Sequence, residues 1–181
     1  MNDMTQSASA RSAKGSQYQL SGFLPYQLSI TSNAVSGLIA ERYRKRFGLK
    51  ITEWRVMAVL GDAGLAGARL AGAGKRSGGG RLTQRDLTEL TLMDKVAVNR
   101  ACKVLEERGL VQRAANVADG RSHLLELTDE GEAIHREVMP LARATERELF
   151  EGFAAEEEAL LRTMLQRMRE RAGMLARGPD G

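Results

Sequence analysis

Cysteine is almost absent from this 181-residue chain, in which Cys102 stands alone. A single cysteine cannot form a disulfide within the chain, which is typical of proteins in a reducing compartment. No apolar run approaches the roughly 18 residues that a membrane helix requires, and the amino terminus lacks the apolar core of a signal peptide. We therefore expect a cytoplasmic protein that does not engage membranes.

Patterns typical of catalysis and metal binding are missing as well. The two histidines, His123 and His135, are twelve residues apart, and neither has metal-ligand spacing to Cys102. No Ser–His–Asp order or paired-carboxylate signature stands out. Residues 74–76 approach a phosphate-binding loop but lack its closing Ser or Thr. We predict that the chain is not an enzyme and has no catalytic residue, no metal and no cofactor.

The chain also lacks a strong excess of charge. Its net charge of +4 and pI near 9.5 give mild support for an acidic partner. Between residues 81 and 128, however, eight Lys and Arg stand against seven Asp and Glu. Any affinity of this segment for an acidic partner must therefore come from the placement of its charges rather than from their total.

The segment from residue 82 to residue 127 contains two helical patterns in succession. The first helix opens at Thr83, with Asp86 three residues on, which is close to a capping box. The second starts near Asp94 and stops at Gly109, a residue typical of helix C-caps. Its apolar positions recur at helical spacing and are Val98, Ala101 or Cys102, and Leu105.

Two alternating segments follow these helices. Residues 110–114 and 122–127 are predicted to form the arms of a hairpin, and Asp119 and Gly120 supply the turn chemistry. Two helices joined by a tight turn and followed by a two-stranded ribbon make a winged helix-turn-helix. In that arrangement the second helix enters the major groove and the wing reaches the backbone or the minor groove. The predicted fold class is mainly α with a small β-wing.

The second helix carries side chains that are suited to DNA. Asn99 can bind adenine, Arg100 can bind guanine, and Lys95 and Lys103 can bind phosphate. Arg121 lies at the tip of the wing, just past the turn. The alternative is a solvated charged face on an ordinary helix, but the hairpin that follows favours DNA binding.

This segment resembles the MarR family of winged-helix transcriptional regulators. The resemblance is carried by TQRDLTELTLMDKVAVNRACKVLEERGLVQR and DGRSHLLELTDEG, and it extends over about residues 23–176. The chain departs from the family where Val96 and Ala97 replace small hydroxyl residues, and where a Gly/Ala-rich segment precedes the first of the two helices. The resemblance and the helix pattern together predict that the DNA-binding residues are Thr83, Gln84, Lys95, Val96, Ala97, Asn99, Arg100, Lys103, Arg113, Asp119 and Arg121.

A polar tail, two helices and a loop are predicted before this segment. Residues 1–22 are small and polar, and we expect a disordered tail. One helix runs from Leu24 to Gly48, and a second, capped by Thr52, runs from residue 53 to residue 61. Residues 62–81 are rich in glycine and alanine and are predicted to form a flexible loop, because they cannot repay their ordering entropy.

Two long helices are predicted after the wing. Thr128 caps the first, which Pro140 should bend, and the second begins near Ala154 with an acidic first turn. The terminal helices carry more apolar surface than one small winged domain needs, so a two-fold dimer is the economical solution. The resemblance implies the same homodimer, with residues 23–48 and 129–177 as the helical dimerisation region and residues 49–128 as the DNA-binding domain.

The resemblance also implies a small-molecule effector. The first two helices are similar to those of MarR members that govern the catabolism of aromatic acids, some of which sense aryl acids or their coenzyme A thioesters. The competing interpretation is that Trp54 and Arg55 are a core residue and an ion-pair partner. In this chain the positions that match the family's effector site supply an aromatic face, small polar donors and cations. These predicted ligand-binding residues are Ser29, Asn33, Arg42, Trp54 and Arg55.

The sequence thus predicts a repressor that a small aromatic carboxylate or acyl-CoA effector releases from a palindromic double-stranded operator. Two alternatives stay open. One is a redox-sensing repressor that uses Cys102, although no second cysteine is present to resolve a sulfenic acid. The other is a structural protein that binds DNA without sequence preference.

Overall fold

Helices dominate the computed structural model, which describes residues 19–71, 80–116 and 121–178. Within these stretches no helix has the length and apolarity needed to cross a membrane. The mainly α fold with a small β-wing confirms the predicted class. A short 3-10 turn at Leu20–Gly22 is followed in chain order by α1 (Leu24–Phe47), α2 (Ile51–Ala71), β1 (Leu82–Thr83), α3 (Gln84–Thr91), α4 (Lys95–Glu107), β2 (Val111–Ala115), β3 (His123–Leu127), α5 (Asp129–Leu149) and α6 (Ala155–Arg177).

The bounds of α1 follow from its sequence. Pro25 lies in the first turn, where its missing N–H costs nothing. Gly48 ends the helix with φ 63°, and its N–H donates to the Arg44 carbonyl. The guanidinium of Arg108 donates to the Phe47 carbonyl at 2.6 Å, so this terminal acceptor has a partner from another helix. The predicted end of the first helix at Gly48 is confirmed.

The second helix is longer than the sequence predicted. α2 begins at Ile51, so Thr52 lies inside the helix instead of capping it. The helix continues to Ala71, and the predicted loop is therefore wrong over residues 62–71. Residues 72–79 of that predicted loop lie outside the described residues. Leu20–Gly22, assigned to the disordered tail, forms a turn instead, and residues 1–18 of the tail lie outside the described residues.

Gly61 does not end α2 because it serves close packing. A Cβ atom at this position would lie 2.4 Å from Nε2 of His135, so only glycine lets the α5 imidazole approach the helix. The imidazole stacks on Trp54 with 5.6 Å between ring centroids, and Trp54 lies 5.6 Å from Tyr43 on α1. All three rings are buried. Gly61, which the sequence predicts to end the helix, therefore lies inside α2 and packs against an aromatic cluster of the core.

The predicted capping box of α3 is present, and α4 starts where predicted, with Asp94 as its N-cap. The Asp86 N–H donates to the Thr83 hydroxyl at 3.1 Å, and the Thr83 N–H donates to the Asp86 carboxylate at 2.8 Å. This reciprocal pair is a capping box. The Asp94 carboxylate accepts from the Ala97 N–H at 2.8 Å. α4 ends two residues before Gly109, whose φ of 70° lies in the left-handed region. The helix-turn-helix is therefore confirmed.

The wing is a three-stranded antiparallel sheet in the order β1–β3–β2. β3 pairs with all five residues of β2, and Val111 lies opposite Leu127. β1 adds a two-residue edge, with Leu82 opposite Leu125, which the sequence did not predict. The two predicted hairpin arms are confirmed to within one residue. The turn assigned to Asp119–Gly120 lies outside the described residues.

The chain divides into two compact units, residues 1–142 and 143–181. In the second unit the Glu146 carboxylate accepts hydrogen bonds from Arg143 at 2.9 Å and from Arg162 at 3.0 Å. These two bonds lower the pKa of Glu146. They tie the last turn of α5 to α6 within this unit.

The two C-terminal helices begin where the sequence predicted. The Thr128 hydroxyl accepts from the Gly131 N–H at 3.1 Å and so caps α5, and Pro140 lies inside that helix. α6 begins at Ala155, immediately after the predicted cap position. The dimerisation role assigned to these helices stays a prediction.

Leu92 gives the first testable prediction, which concerns backbone strain. Among the described residues it is the only non-glycine with a positive φ (53°), and its side chain is 75% exposed. An L-residue in this region is strained by about 1–2 kcal/mol, and glycine removes this strain. Glycine also loses more conformational entropy on folding, which offsets part of the gain. We expect Leu92→Gly to raise the free energy of unfolding by about 0.5–1 kcal/mol in urea denaturation. Leu92→Ala is the control and should change it little; equal stabilisation by both would contradict the strain argument.

His135 gives a prediction about pH. Burial lowers its pKa, while the nearby carboxylates Asp62 and Glu132 act in the opposite direction. Because the folded state resists protonation, the unfolded state binds the proton first as the pH falls below about 6.5. The contribution of His135 to stability is therefore intact above that pH. It is lost as the pH falls toward the folded-state pKa, by at most about 1.4 kcal/mol per pH unit.

Urea denaturation of the wild type and His135→Gln between pH 7.5 and 5.5 measures this effect. The variant should show a flatter dependence of the free energy of unfolding on pH, whatever its absolute stability. His123→Gln is the matched control, since His123 is exposed and is the only other histidine. If His123→Gln flattens the profile and His135→Gln does not, burial of His135 is not the cause.

Candidate nucleic-acid interface

α4 is anchored through one side only. Val98, Ala101, Cys102 and Leu105 are buried, and the helix packs against α2 and α3. Because these positions recur at helical spacing, the opposite side of α4 faces solvent. We call this side the exposed α4 face, and it consists of Lys95, Val96, Asn99, Arg100 and Lys103.

The exposed α4 face carries hydrogen-bond donors that have no partner among the described residues. Within the described stretches, no hydrogen bond or ion pair joins the side chains of Lys95, Asn99 or Arg100 to another residue. Lys103 lies 3.8 Å from the Glu107 carboxylate in an exposed i,i+4 pair. Such exposed pairs are weak and exchange readily for another anion. Ala97, also predicted to contact DNA, is half-buried at the edge of this face.

The acidic residues near α4 are held by internal partners. Nε of Arg113 on β2 donates to Glu106 at 2.8 Å, and Nε of Arg81 donates to Glu126 on β3 at 2.7 Å. Asp94 accepts the N-cap hydrogen bond of α4. Glu106 and Glu126 are therefore each neutralised by an arginine of the wing region, whereas Asp94 keeps its charge at the N-terminus of α4.

The Arg113–Glu106 pair gives Arg113 a structural role that the sequence did not predict. It joins β2 to α4, and one Glu106 oxygen is buried without a hydrogen-bond partner in the described part of the chain. Arg81 joins the chain just before β1 to β3, and its bond to Glu126 together with the charge of that residue raises the pKa of Arg81. Neither Glu106 nor Arg81 was among the predicted site residues, because partners seven and 45 residues away leave no local signal.

The remaining predicted DNA contacts belong to segments of the chain other than α4. The hydroxyl of Thr83 is occupied by its capping box. Gln84 is half-buried at the first position of α3, where free N–H groups favour a phosphate. Arg121 is exposed and begins the described part of the second wing arm. Asp119 lies outside the described residues.

Cys102 is buried on the core side of α4. Burial and the charge of Glu106 raise its pKa to about 11. Because the thiolate is the reactive form of cysteine, this thiol is unreactive at neutral pH. The geometry thus gives no support to a redox sensor. In the same described stretches, no group of three or more His, Cys, Asp or Glu side chains is placed to hold a metal ion.

The residues predicted to bind an effector are placed differently from one another. Ser29, Asn33 and Arg42 are exposed on α1. Trp54 instead lies in the core, packed between Tyr43 and the His135 ring. In this respect the competing interpretation, which made Trp54 a core residue, agrees with the structure.

Arg55 does not fit the competing interpretation, because no ion pair holds it. Its guanidinium is half-buried and donates to the Ser36 hydroxyl at 3.2 Å. No carboxylate among the described residues forms an ion pair with it. The sequence did not predict Ser36, which lies 19 residues earlier on α1. Together, Ser36 and Arg55 form a small polar site between α1 and α2.

Comparisons with known proteins agree with this geometry. The sequence profile described as the MarR family matches residues 47–122. The HTH-type transcriptional regulator YdgJ of Bacillus subtilis is 34% identical over 88 residues, which are 49% of this chain and 54% of YdgJ. HosA of Escherichia coli is 29% identical over 87 residues. The chain thus spans 54% and 64% of the length of these two relatives.

Solved structures match over nearly the whole fold. The MarR family regulator SPO1453 of Silicibacter pomeroyi is 30% identical with a TM-score of 0.61, over 83% of this chain and 98% of SPO1453. BpsR of Bordetella bronchiseptica, whose DNA binding is regulated by 6-hydroxynicotinic acid, shares the fold at 20% identity and a TM-score of 0.68, over 84% of this chain and 96% of BpsR. MarR family proteins are transcription regulators rather than enzymes, in agreement with the prediction that the chain is not an enzyme. The chain belongs to the MarR family of winged-helix transcriptional regulators.

Proposed function

We propose that the chain is a transcriptional repressor that binds a palindromic duplex operator as a homodimer and is released by a small aromatic acid. The observation that carries the DNA-binding part is the exposed α4 face. There Lys95, Asn99 and Arg100 project from a helix anchored on its other side and have no partner among the described residues. A helix in this position of a winged helix-turn-helix enters the major groove.

The side chains on this face have different roles in the proposed complex. Asn99 and Arg100 have the donor and acceptor geometry to bind the edges of adenine and guanine. Lys95, at the first position of α4, and Arg121, on the wing, supply positive charge to the phosphates on either side. Arg113 is a weaker candidate for a direct contact, because Glu106 already holds it. In the complex Arg113 keeps β2 against α4, which positions the wing.

The proposed dimer rests on apolar surface at both ends of the described chain. Near the start, Phe23, Leu24 and Leu28 are exposed on and before α1. In the second unit, α6 has no buried residue, and its exposed apolar side chains have coiled-coil spacing. Exposed apolar surface of this kind, on each unit taken by itself, marks an interface, and a second copy of the chain is the occupant that gives a palindromic operator its symmetry. The exposed apolar residues of α6 are Leu160, Leu161, Met164, Leu165, Met168, Met174 and Leu175.

Arg55 supports the proposed effector class. A half-buried guanidinium whose partner is a neutral hydroxyl can accept a carboxylate without losing an ion pair. The match to BpsR, which responds to the aromatic carboxylate 6-hydroxynicotinic acid, is in keeping with this chemistry. Ser29, Asn33 and Arg42 supply further polar contacts along α1. A coenzyme A thioester is the larger alternative within the same class, with Arg42 meeting its phosphates.

A variant series tests the DNA-binding proposal by measuring affinity for DNA selected from a random pool. Asn99→Ala and Arg100→Ala should each relax base preference at one position, at a cost of about 1–3 kcal/mol. Arg121→Ala should weaken binding to all DNA sequences alike, and it should lower the slope of log K against the logarithm of salt concentration by about one. Arg136→Ala is the matched control, since it removes one exposed positive charge from α5. Equal effects of all four substitutions would reduce the interface to non-specific attraction.

Analytical ultracentrifugation of the same complexes tests the dimer. Two chains per duplex are expected, bound to half-sites about one helical turn apart. A stable monomer that binds a single half-site with full affinity would contradict the proposal.

Thermal unfolding in the presence of aromatic acids and their coenzyme A thioesters tests the effector. At a hundred times its dissociation constant, a ligand should stabilise the chain by about 2.7 kcal/mol. Arg55→Ala should abolish this shift for a carboxylate while leaving operator affinity intact. Ser36→Ala, which leaves the guanidinium in place, should reduce the shift much less. A full ligand response in Arg55→Ala would place the effector elsewhere.

A further inference from the structure

An apolar side chain occupies the exposed α4 face among its polar residues. Val96 is 58% exposed, and it lies one helical turn before Asn99 and Arg100 and two turns before Lys103. Valine is a poor helix former and gains nothing from solvent, so this position is not explained by the stability of the isolated chain. The surrounding cations match the charge of DNA rather than that of an apolar protein surface.

Resting on the proposed function, we propose that Val96 determines specificity by binding the C5-methyl group of a thymine in the operator half-site. The thymine methyl is the one apolar group that base pairs present in the major groove. Val96 is the second residue of α4, in the N-terminal part of the helix that contacts base edges in this class of complex. It offers no donor or acceptor, so it cannot satisfy the polar edge of another base.

Its neighbours do not supply this contact. Asn99 and Arg100 read purines by hydrogen bonding, and Lys95 carries a charge that favours phosphate. Ala97 is half-buried, and its methyl group reaches less far than the valine side chain. Val96 is therefore the residue of this face that contacts the thymine methyl group, at a base pair close to those that Asn99 and Arg100 contact.

The test uses the full chain and a half-site selected from random duplex DNA. Each thymine of the selected site is replaced in turn by deoxyuridine, which lacks only the methyl group. Wild-type affinity should fall about fourfold at one thymine, the loss expected for one buried methyl group. Val96→Thr keeps a γ-methyl group and should retain this difference, whereas Val96→Ser should bind the thymine and uracil sites equally.

Leu92→Ala is the control for apolar truncation outside α4, because Leu92 is also exposed. It should leave the thymine–uracil ratio unchanged. Sequence-specific binding with no sensitive thymine, or with the same ratio in Val96→Ser and Val96→Thr, overturns the role of Val96 and leaves the proposed function standing. Failure to select any sequence overturns both.

Discussion

The burial of one side of α4 is the constraint on which the exposed α4 face depends. Val98 and Leu105 fill the core together with Met57 and Leu60 of α2, so α4 cannot rotate about its axis without exposing them. Burying such side chains contributes about 1.5–3 kcal/mol each, far more than any exposed ion pair. The orientation of the exposed α4 face is therefore set by apolar packing behind it, and its polar residues are free to be chosen for their partner.

The separation of α4 into a buried side and an exposed side helps to explain how residues 81–128, with nearly balanced charge, can carry a basic surface. Of the seven acidic residues between residues 81 and 128, Asp119 lies outside the described residues and each of the other six has an internal hydrogen bond or ion pair. Four of the eight cations are their partners, and Arg108 lies 3.8 Å from Glu53, outside this segment. Among the cations in the described part of this segment, only Lys95 and Arg100 have no hydrogen bond or ion pair, and both lie on the exposed α4 face. The local potential thus follows from pairing, which composition does not report.

Local chemistry was predictable from the sequence, and long-range contacts were not. The Thr83–Asp86 capping box, the Asp94 cap and the left-handed Gly48 are encoded within four residues, and the structure contains all three. The passage of α2 through Gly61 depends on His135, 74 positions later, and the role of Arg113 on β2 depends on Glu106 on α4. A glycine or an arginine looks the same in sequence whether it ends a helix, packs against a ring or meets DNA.

The same distinction applies to the helix-turn-helix turn itself. Its position is predictable from the two caps, yet its first residue is Leu92, whose φ of 53° is unfavourable for a leucine. Local propensity alone would place glycine or asparagine there. The conformation persists because the flanking helices are fixed on both sides, by burial of Leu87 in α3 and of Val98 in α4. Tertiary packing overrides local preference in this turn.

If the proposed effector binds at Arg55, α2 determines how it acts on α4. One side of α2 meets α1 at the Ser36–Arg55 hydrogen bond, and the helix also packs against α4. A ligand at Arg55 shifts DNA binding only by the difference between its affinities for the free and the operator-bound conformations. Because coupling is reciprocal, the operator must weaken ligand binding by the same factor by which the ligand weakens operator binding. A ligand that binds Arg55 tightly but leaves the position of α2 unchanged therefore stabilises the chain without releasing the operator.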